Sequence, residues 1–404
     1  MSAKALQPGI GLKTANGLFI VLWCLLAAFP IFWMVVMSFK LPLDAFADDP
    51  FSVLLGPMTR AAGRGLSILD IVLSVAVIGF FLWAAFTKLP AWVRQGADAW
   101  DARFATGGDV PGAMAQTRTA PIFFSWIIGV VGIAIGFVLA LFILLPAISA
   151  LINPVLGPLG TPIIGFTGEA YERVWVDRAF YEHFFNSMIV TFGVVTISLT
   201  VGTLAGYALA RSGSQLAFWL LVIALVFRAL PHSVLVAGYM PLFINSAEIL
   251  RPILGDAAPT LYGKPFAVIA VLVSINQPFT IWMLRSFFQS IPHELDEAAR
   301  VDGCSHFQAF RRVIMPVMWP GVITTGLFSF LLAYNDYLVC SLLLDATNQT
   351  MVPEISSFFN RETTTTDQVT AIAAAVSILA PLFVLVMVFQ RQIVSGLTAG
   401  AVKG

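Results

Sequence analysis

The chain has 404 residues, of which 58% are hydrophobic and 11% are charged, and its mean hydropathy is +0.88. Because soluble domains carry about 25% charged residues, this composition excludes a large soluble protein and is typical of an integral membrane protein. Lysine plus arginine and aspartate plus glutamate both number 22, and this balance gives no indication of a nucleic-acid partner.

Eight apolar segments follow one another along the chain, each near the roughly 20 residues that a helix needs to cross a lipid bilayer. The first follows Lys4 and Lys13 and continues past any small-residue cleavage site, which predicts an uncleaved span rather than a signal peptide. The sequence therefore predicts an all-α polytopic membrane protein with about eight transmembrane helices, near residues 17–38, 68–87, 122–148, 186–210, 216–244, 266–288, 314–342 and 369–390.

Basic residues are more frequent in the loops that share a side with the N-terminus than in the opposite loops. Because lysine and arginine are enriched on the cytoplasmic side of membrane proteins, this bias predicts that both termini are cytoplasmic. Two small-residue patterns, GIAIG at 132–136 and GTLAG at 202–206, are expected to let neighbouring helices approach closely.

The chain carries no motif for catalysis or nucleotide binding. The pair Gly263–Lys264 is followed by proline and lacks the upstream glycine of a phosphate-binding loop, and no HExxH, GxSxG or zinc-binding spacing occurs. The three cysteines are far apart and form no CxxC pair. We therefore expect a protein that is not an enzyme and that binds no metal or cofactor itself.

Several polar residues lie at membrane depth, namely Arg228, Asn276, Gln277, Asn335 and Asp336. Ionisable groups within hydrocarbon are costly and usually face a bundle interior or a wet cavity, so these side chains are candidates for a translocation pathway. Prolines at 231 and 278 interrupt the backbone ladder nearby, which is tolerated beside protein or water. Hydrogen bonds between helices, or a helix end closer to the interface, remain the alternatives.

Residues 293–317, HELDEAARVDGCSHFQAFRRVIMPV, form a polar island between two apolar spans. Ser290 is expected to cap a first helix with an acidic opening turn. Gly303 suits a left-handed conformation that ends this helix after Asp302. The island therefore begins with a short helix and a glycine corner.

A second helix is expected directly after the corner, because Ser305 and Gln308 have the spacing of a capping box. Phe307, Phe310 and Ile314 recur at helical spacing and predict one apolar stripe. The result is an elbow on the cytoplasmic side, suited to a groove on a soluble partner. The alternative is an interfacial helix on anionic lipid, which would also suit Arg300, Arg311 and Arg312.

Glu297-Ala298-Ala299, Gly303 and Pro316 have the spacing EAA, three residues, glycine, nine residues, Ile-x-Leu-Pro, with Val313 and Met315 in place of Ile and Leu. This pattern resembles the cytoplasmic coupling loop of binding-protein-dependent ABC importer permeases. The downstream YNDY and the tail SGLTAGAVKG are similar to the sugar-uptake branch, of the maltose-permease-G type. The resemblance implies a type I ABC importer permease core of six spans, so the other two spans would be an inserted pair.

The resemblance implies a half-permease that forms a heterodimer with a second permease subunit. It also implies two ATPase subunits, which would bind ATP and Mg, and a periplasmic solute-binding protein. The coupling loop would comprise Glu297, Ala298, Ala299, Asp302, Gly303, Phe307, Phe310 and Pro316. A C-terminal tail that reaches the ATPase subunits would include Gly396, Leu397, Thr398, Gly400 and Lys403.

The resemblance covers the first span and the chain from about residue 184, which predicts four parts. These are an N-terminal tail and first span (1–56), an inserted pair with a cytoplasmic loop (57–150), a periplasmic segment (151–183), and the permease core with its coupling loop and tail (184–404).

The predicted function is that of the permease subunit of an ATP-driven importer in a bacterial inner membrane. Its expected solute is a sugar or sugar-like compound, an oligosaccharide, a glucoside or a polyol. The alternative is an ion-coupled secondary transporter of small solutes, which would need membrane-embedded acids in several spans, whereas Asp336 is the one acid firmly in such a position.

Overall fold

The computed structural model describes residues 10–93, 95, 119–155, 157–359 and 364–401, and most of these residues are helical. The first half of the chain contains α1 (Ile10–Ser38), α2 (Pro42–Ala45), α3 (Pro50–Leu55), α4 (Pro57–Ala61), β1 (Gly65–Leu66), α5 (Ile68–Trp83), α6 (Thr119–Leu139), α7 (Leu145–Ile152), β2 (Ile164–Gly165) and α8 (Glu169–Glu172).

The second half contains longer helices joined by short turns. In chain order they are α9 (Phe180–Ser212), α10 (Gln215–Phe227), α11 (His232–Ile244), α12 (Ser246–Leu254), α13 (Pro265–Gln289), α14 (Glu294–Val301), α15 (His306–Ala309), α16 (Met315–Tyr334), α17 (Leu338–Leu343), α18 (Met351–Ser357) and α19 (Thr365–Ala401). Segments of π-helix extend α5, α6, α8 and α15, at Ala84–Lys88, Ala140–Leu144, Arg173–Asp177 and Phe310–Ile314.

Within the described residues, five helices are long and apolar enough to cross a membrane, at Thr14–Ser38, Phe180–Ser212, Pro265–Gln289, His306–Tyr334 and Thr365–Gln390. A sixth span results if α10 and α11 are counted as one span, although they meet at 99°. The predicted inserted pair corresponds to two shorter apolar helical stretches, Ile68–Trp83 and Ile128–Leu139. A polytopic helical membrane protein is therefore confirmed, whereas the exact count of eight spans is not.

Contacts within the chain divide it into two compact units, which we describe separately. The first unit comprises the described residues of 1–72, 148–179 and 358–380, and the second comprises those of 73–147, 180–357 and 381–404.

In the first unit, β1 and β2 pair in antiparallel register, with Gly65 opposite Gly165 and Leu66 opposite Ile164. Buried Asp70 accepts hydrogen bonds from the amide of Ser67 at 2.8 Å and from the side chain of Asn153 at 3.2 Å. These contacts hold together the two chain segments that lead into and out of the inserted helices.

Buried polar side chains also organise the loop that follows α1. Asp44 accepts from the amides of Met58 and Thr59 at 3.1 and 2.5 Å, and from the Thr59 hydroxyl at 2.6 Å. The ammonium of Lys40 donates to the carbonyls of Leu54 and Gly165. Buried polar groups need such partners, and Lys40 and Asp44 both have them.

In the second unit, α9 packs along α13 through small residues. A Cβ at Gly202 would lie 2.6 Å from Thr280, and one at Gly206 would lie 3.1 Å from the backbone of Arg285. The GTLAG pattern therefore permits the close approach expected from the sequence. Of the GIAIG glycines, Gly136 lies against Phe81 of the inserted pair, whereas Gly132 has no such neighbour.

The helix α16 completes this core through a buried polar seam with α13. The side-chain amide of Asn276 donates to the Ser329 hydroxyl at 2.7 Å, and the Thr280 hydroxyl lies 3.5 Å from the same oxygen. All three side chains are buried. The same unit contains a buried apolar cluster that includes Val190, Val194, Val271, Leu272 and Ile275.

Candidate functional site

The first helix of the polar island, α14, begins at Glu294 and carries three acids in its first turn, Glu294, Asp296 and Glu297. The expectation that Ser290 caps this helix is wrong. Ser290 instead ends α13, where its backbone is helical and its hydroxyl donates to the Phe287 carbonyl at 2.7 Å. The residue before α14 is His293, whose side chain makes no capping hydrogen bond.

The predicted glycine corner is present after α14. Gly303 has a φ of +87°, and its amide donates to the Arg300 carbonyl at 3.0 Å. The amide of Cys304 donates to the Ala299 carbonyl, also at 3.0 Å. This pair of bonds is the Schellman motif, which closes a helix end with a left-handed residue.

The capping box that was predicted for the second helix is also present. The amide of Gln308 donates to the Ser305 hydroxyl at 3.3 Å, and the Ser305 amide donates back to the Gln308 side chain at 2.9 Å. This helix continues through the π-helical segment Phe310–Ile314 into α16, so the elbow joins the next span without a break. Pro316 lies in the first turn of α16, and a π-segment just before a proline accommodates its missing amide.

Most of the apolar stripe predicted on the second helix faces the chain's own core and is not available to a partner. Phe310 and Ile314 are buried with Leu284, Phe288 and Met318, and the Phe310 ring centroid lies 4.8 Å from that of Tyr207. They point into the chain because a helix joined directly to a span must pack one face against the bundle.

The side chain of Phe307 remains 64% exposed and marks the outer face of the second helix. On α14, Val301 is 87% exposed, and Glu297 and Ala298 share its face. Ala299, by contrast, is buried inside the elbow. We call Glu297, Ala298, Val301 and Phe307 the outer face of the elbow. Val301 was missed because an isolated valine between charged residues gives no periodic signal.

A second group that the sequence did not indicate fixes the elbow to α9. The guanidinium Nη2 of Arg211 lies 2.8 Å from Asp296 Oδ2, and the Tyr207 hydroxyl donates to Asp296 Oδ1 at 2.6 Å. We call Tyr207, Arg211 and Asp296 the inner anchor. Their separation along the chain, 89 residues between Tyr207 and Asp296, explains why no local pattern revealed them.

The residues predicted for a translocation pathway have different partners in the structure. Buried Asn276 is engaged with Ser329 in the seam between α13 and α16, which fits the alternative of hydrogen bonding between helices. Gln277 donates to the Ser198 carbonyl of α9 at 3.4 Å.

The other candidates lie at interruptions of helices. Arg228 follows α10 at the bend before α11, and its guanidinium lies 4.6 Å from the Phe279 ring centroid. Asn335 and Asp336 separate α16 from α17. Asp336 caps α17 by accepting from the amides of Val339 and Cys340 at 2.8 and 3.2 Å, while Asn335 is exposed.

The predicted tail lies at the end of α19. Gly396, Leu397, Thr398 and Gly400 belong to this helix, and Lys403 lies outside the described residues. Among the described parts of the chain, no group of three or more His, Cys, Asp or Glu side chains is arranged to hold a metal ion.

Comparison with known proteins gives matches over the same region. Residues 198–398, which include the elbow, match the family described as "Binding-protein-dependent transport system inner membrane component". The chain is 36% identical over 241 residues to the "Diacetylchitobiose uptake system permease protein DasC" of Streptomyces coelicolor, which covers 59% of this chain and 81% of that protein.

A second sequence relative is also named as a permease protein. The chain is 35% identical over 244 residues to the "Trehalose transport system permease protein SugB" of Mycobacterium tuberculosis, over 59% of this chain and 82% of that protein. The structure of "a bacterial ABC transporter involved in the import of the acidic polysaccharide alginate" superposes with a TM-score of 0.45 and 20% identity, over 68% of this chain and 98% of that one.

The sequence relatives match along most of their own length and are named as permease proteins. Such subunits are not catalytic, because ATP hydrolysis belongs to other subunits of the transporter. The chain therefore belongs to the binding-protein-dependent transport system inner membrane components, as a multi-pass permease subunit of an ABC importer.

Proposed function

We propose that this chain is one transmembrane half of an ATP-driven importer for a sugar or sugar-like solute, and that its elbow receives the motion of an ATPase subunit. The observation that carries the proposal is the outer face of the elbow. Val301 and Phe307 are apolar side chains that are 87% and 64% exposed, on two short helices fixed by a Schellman corner and a capping box.

Such a face fits a groove on a protein better than a lipid surface. An interfacial helix would offer a continuous apolar stripe to lipid, but Phe310 and Ile314, which would extend the stripe, are buried in the chain's own core. Val301 and Phe307 remain exposed, and Glu297 and Asp302 lie within one helical turn of Val301. Isolated apolar side chains with charged residues nearby are suited to a preformed pocket on a protein partner.

The proposed complex contains this chain, a second permease subunit, two ATPase subunits and a periplasmic solute-binding protein. ATP and Mg would bind to the ATPase subunits, since this chain has no phosphate-binding loop. Glu297, Ala298, Val301, Asp302 and Phe307 would form the contact with one ATPase subunit, and Gly303 would form the corner between the two helices that carry them. The end of α19 would approach the ATPase pair from the same side, with both termini of the chain in the cytoplasm.

The proposed solute class is supported by the names of the relatives, which refer to diacetylchitobiose and trehalose. Oligosaccharides, glucosides and polyols all present hydroxyl groups that amides and carboxylates can bind. Asn335, Asp336 and Arg228 are the proposed pathway residues, because they lie where helices are interrupted, and an interrupted backbone at membrane depth borders protein or water. Asn276 and Gln277 would support the helices that carry them.

The test is reconstitution with the proposed partner subunits. The chain is co-expressed with an ATPase, a second permease and a binding protein from the same organism, and the purified complex is placed in liposomes loaded with ATP. Uptake of labelled diacetylchitobiose, trehalose and a polyol is then measured. ATP-dependent uptake that survives collapse of all ion gradients is the expected result. Uptake that follows an ion gradient without ATP would favour the secondary transporter and overturn the proposal.

A further inference from the structure

The inner anchor joins the elbow to a helix that is not its neighbour in the chain. The backbone connects the elbow to α13 on one side and to α16 on the other. The helix α9 ends far earlier, yet Arg211 in its last turn pairs with Asp296 of α14 at 2.8 Å. The elbow is therefore attached to three transmembrane helices, of which two are attached by the backbone and one by side chains.

The two side chains of this ion pair are largely withdrawn from water. The side chains of Arg211 and Asp296 are only 13% and 15% exposed, whereas those of the surface pair Arg251 and Asp256 are 70% and 89% exposed. Exposed ion pairs contribute little because water and salt screen them. A pair withdrawn from water is screened less, and separating it leaves two uncompensated charges.

The guanidinium of Arg211 also binds the end of α13. Its Nη1 donates to the carbonyls of Ile291 and Phe288 at 3.1 and 3.4 Å. Carbonyls at a helix C-terminus lack partners within the helix and carry partial negative charge, so they favour a cation there. One side chain thus joins the end of α9, the end of α13 and the start of the elbow.

Aromatic packing covers the same junction. The Tyr207 ring centroid lies 5.4 Å from that of Phe288 and 4.8 Å from that of Phe310. Phe310 belongs to the second helix of the elbow. Tyr207 of α9 therefore contacts both helices of the elbow: its hydroxyl donates a hydrogen bond to Asp296 of the first, and its ring packs against Phe310 of the second.

We propose that Tyr207, Arg211 and Asp296 are positioning residues that make α9 move with the elbow, so that ATPase motion reaches α9 directly as well as through α13 and α16. This inference rests on the proposed function of the elbow. The three residues act behind the outer face and contact no ATPase themselves. Their loss therefore affects transmission of motion more than binding of the ATPase.

The test separates binding from transmission in the reconstituted full complex. The variant Arg211→Gln/Asp296→Asn removes both charges and leaves no unpaired one. We measure the ATPase subunits recovered per permease and the solute transported per ATP hydrolysed. Recovery is expected to be unchanged, and transport per ATP is expected to fall about two- to thirtyfold, the range of typical coupling effects. The matched control is Arg251→Gln/Asp256→Asn, which removes an exposed Arg–Asp pair and is expected to change neither quantity.

A cross-linking variant guards against a simple folding defect. In a chain whose native Cys24, Cys304 and Cys340 are replaced by alanine, Arg211→Cys/Asp296→Cys is joined with a short thiol cross-linker. Transport per ATP is expected to be low in the reduced form and to recover after cross-linking. Unchanged coupling in the charge-free variant, or no recovery after cross-linking, would overturn the inference. A wild-type chain that recovers no ATPase would overturn the proposed function, and the inference with it.

Discussion

The amide of Cys304 donates to the carbonyl of Ala299 at 3.0 Å, and this bond closes the corner between the two arms of the elbow. It exists because Gly303 adopts a φ of +87°, a conformation that residues with a Cβ rarely take. Among the described residues other than its two chain neighbours, none has a heavy atom within 4 Å of the position of an added Cβ at Gly303. The glycine is therefore required by the backbone conformation, and not by lack of space.

Substitution of Gly303 is expected to damage the elbow without affecting membrane insertion. Gly303→Ala should destabilise the corner by about 1–2 kcal/mol, the cost of a left-handed residue with a Cβ. Gly303→Pro should abolish the corner, because proline fixes φ near −65° and lacks the amide that donates to Arg300. The measurement is the amount of ATPase subunit that copurifies with the chain.

The control for this substitution is Gly63→Ala. Gly63 also has a positive φ, +75°, and open space around its Cβ position, but it lies in the other unit. The Gly63→Ala substitution should introduce a similar backbone strain, but the ATPase subunit should still copurify with the chain. Equal copurification by the Gly303→Pro chain and the unaltered chain would contradict the role of the corner.

An acidic side chain on the outer face should block docking without disturbing the fold. Val301 is 87% exposed, so Val301→Asp should change the free energy of unfolding by no more than about 0.5 kcal/mol. It should nevertheless prevent ATPase binding, because a charge buried at an interface without a partner is costly. Val155→Asp is the control, since Val155 is 84% exposed and lies outside the elbow. If Val301→Asp and Val155→Asp bind the ATPase subunit equally well, Val301 does not belong to the interface.

The seam between α13 and α16 predicts a stability effect for Asn276. Asn276→Ala removes the 2.7 Å hydrogen bond to buried Ser329 and should lower the free energy of unfolding by about 1–3 kcal/mol. Asn335→Ala should leave stability nearly unchanged, because Asn335 is exposed and its side-chain amide donates locally, to the Leu331 carbonyl of the preceding turn.

Thermal unfolding midpoints of the purified variants measure this difference, and solute uptake is measured in parallel. If Asn335 lines the pathway, its variant should lose uptake at normal stability. If Asn276→Ala instead alters uptake at normal stability, Asn276 would have the pathway role and Asn335 would not.

The inserted helices should be removable. Leu66 and Ile164 lie opposite each other in the β1–β2 pair, so residues 67–163 can be replaced by an Asn-Gly turn that closes a two-residue hairpin. We expect the shortened chain to insert, to bind its ATPase and to transport solute. Replacing the same residues with a single proline is the control, because it cannot close the hairpin. If the Asn-Gly chain binds its ATPase normally but does not transport solute, the inserted helices have a direct role in transport.

Local sequence rules predicted the parts of the elbow that depend on neighbouring residues. Gly303 and the Ser305–Gln308 pair are such parts, because a cap involves residues within one turn of each other. The same rules misplaced Ser290, since a serine near a helix boundary can bond backwards to the preceding helix as well as forwards to the next. Here the bond to the Phe287 carbonyl is the one formed.

Features that depend on distant residues could not be predicted from the sequence. The direction of the Phe310 side chain follows from its packing against Tyr207 and Phe288, far away in the chain. The pairing of Arg211 with Asp296 likewise requires the bundle to be assembled. Apolar composition predicted the membrane fold, but hydropathy alone did not reveal the 99° bend between α10 and α11.

The most direct test of the central claim is ATP hydrolysis by the reconstituted complex in the presence of its binding protein and sugar. With the unaltered chain, hydrolysis should increase when the loaded binding protein is added. With Val301→Asp, the chain should insert normally and the increase should be absent. An equal increase with both chains would contradict the claim that the elbow is where this permease meets its ATPase.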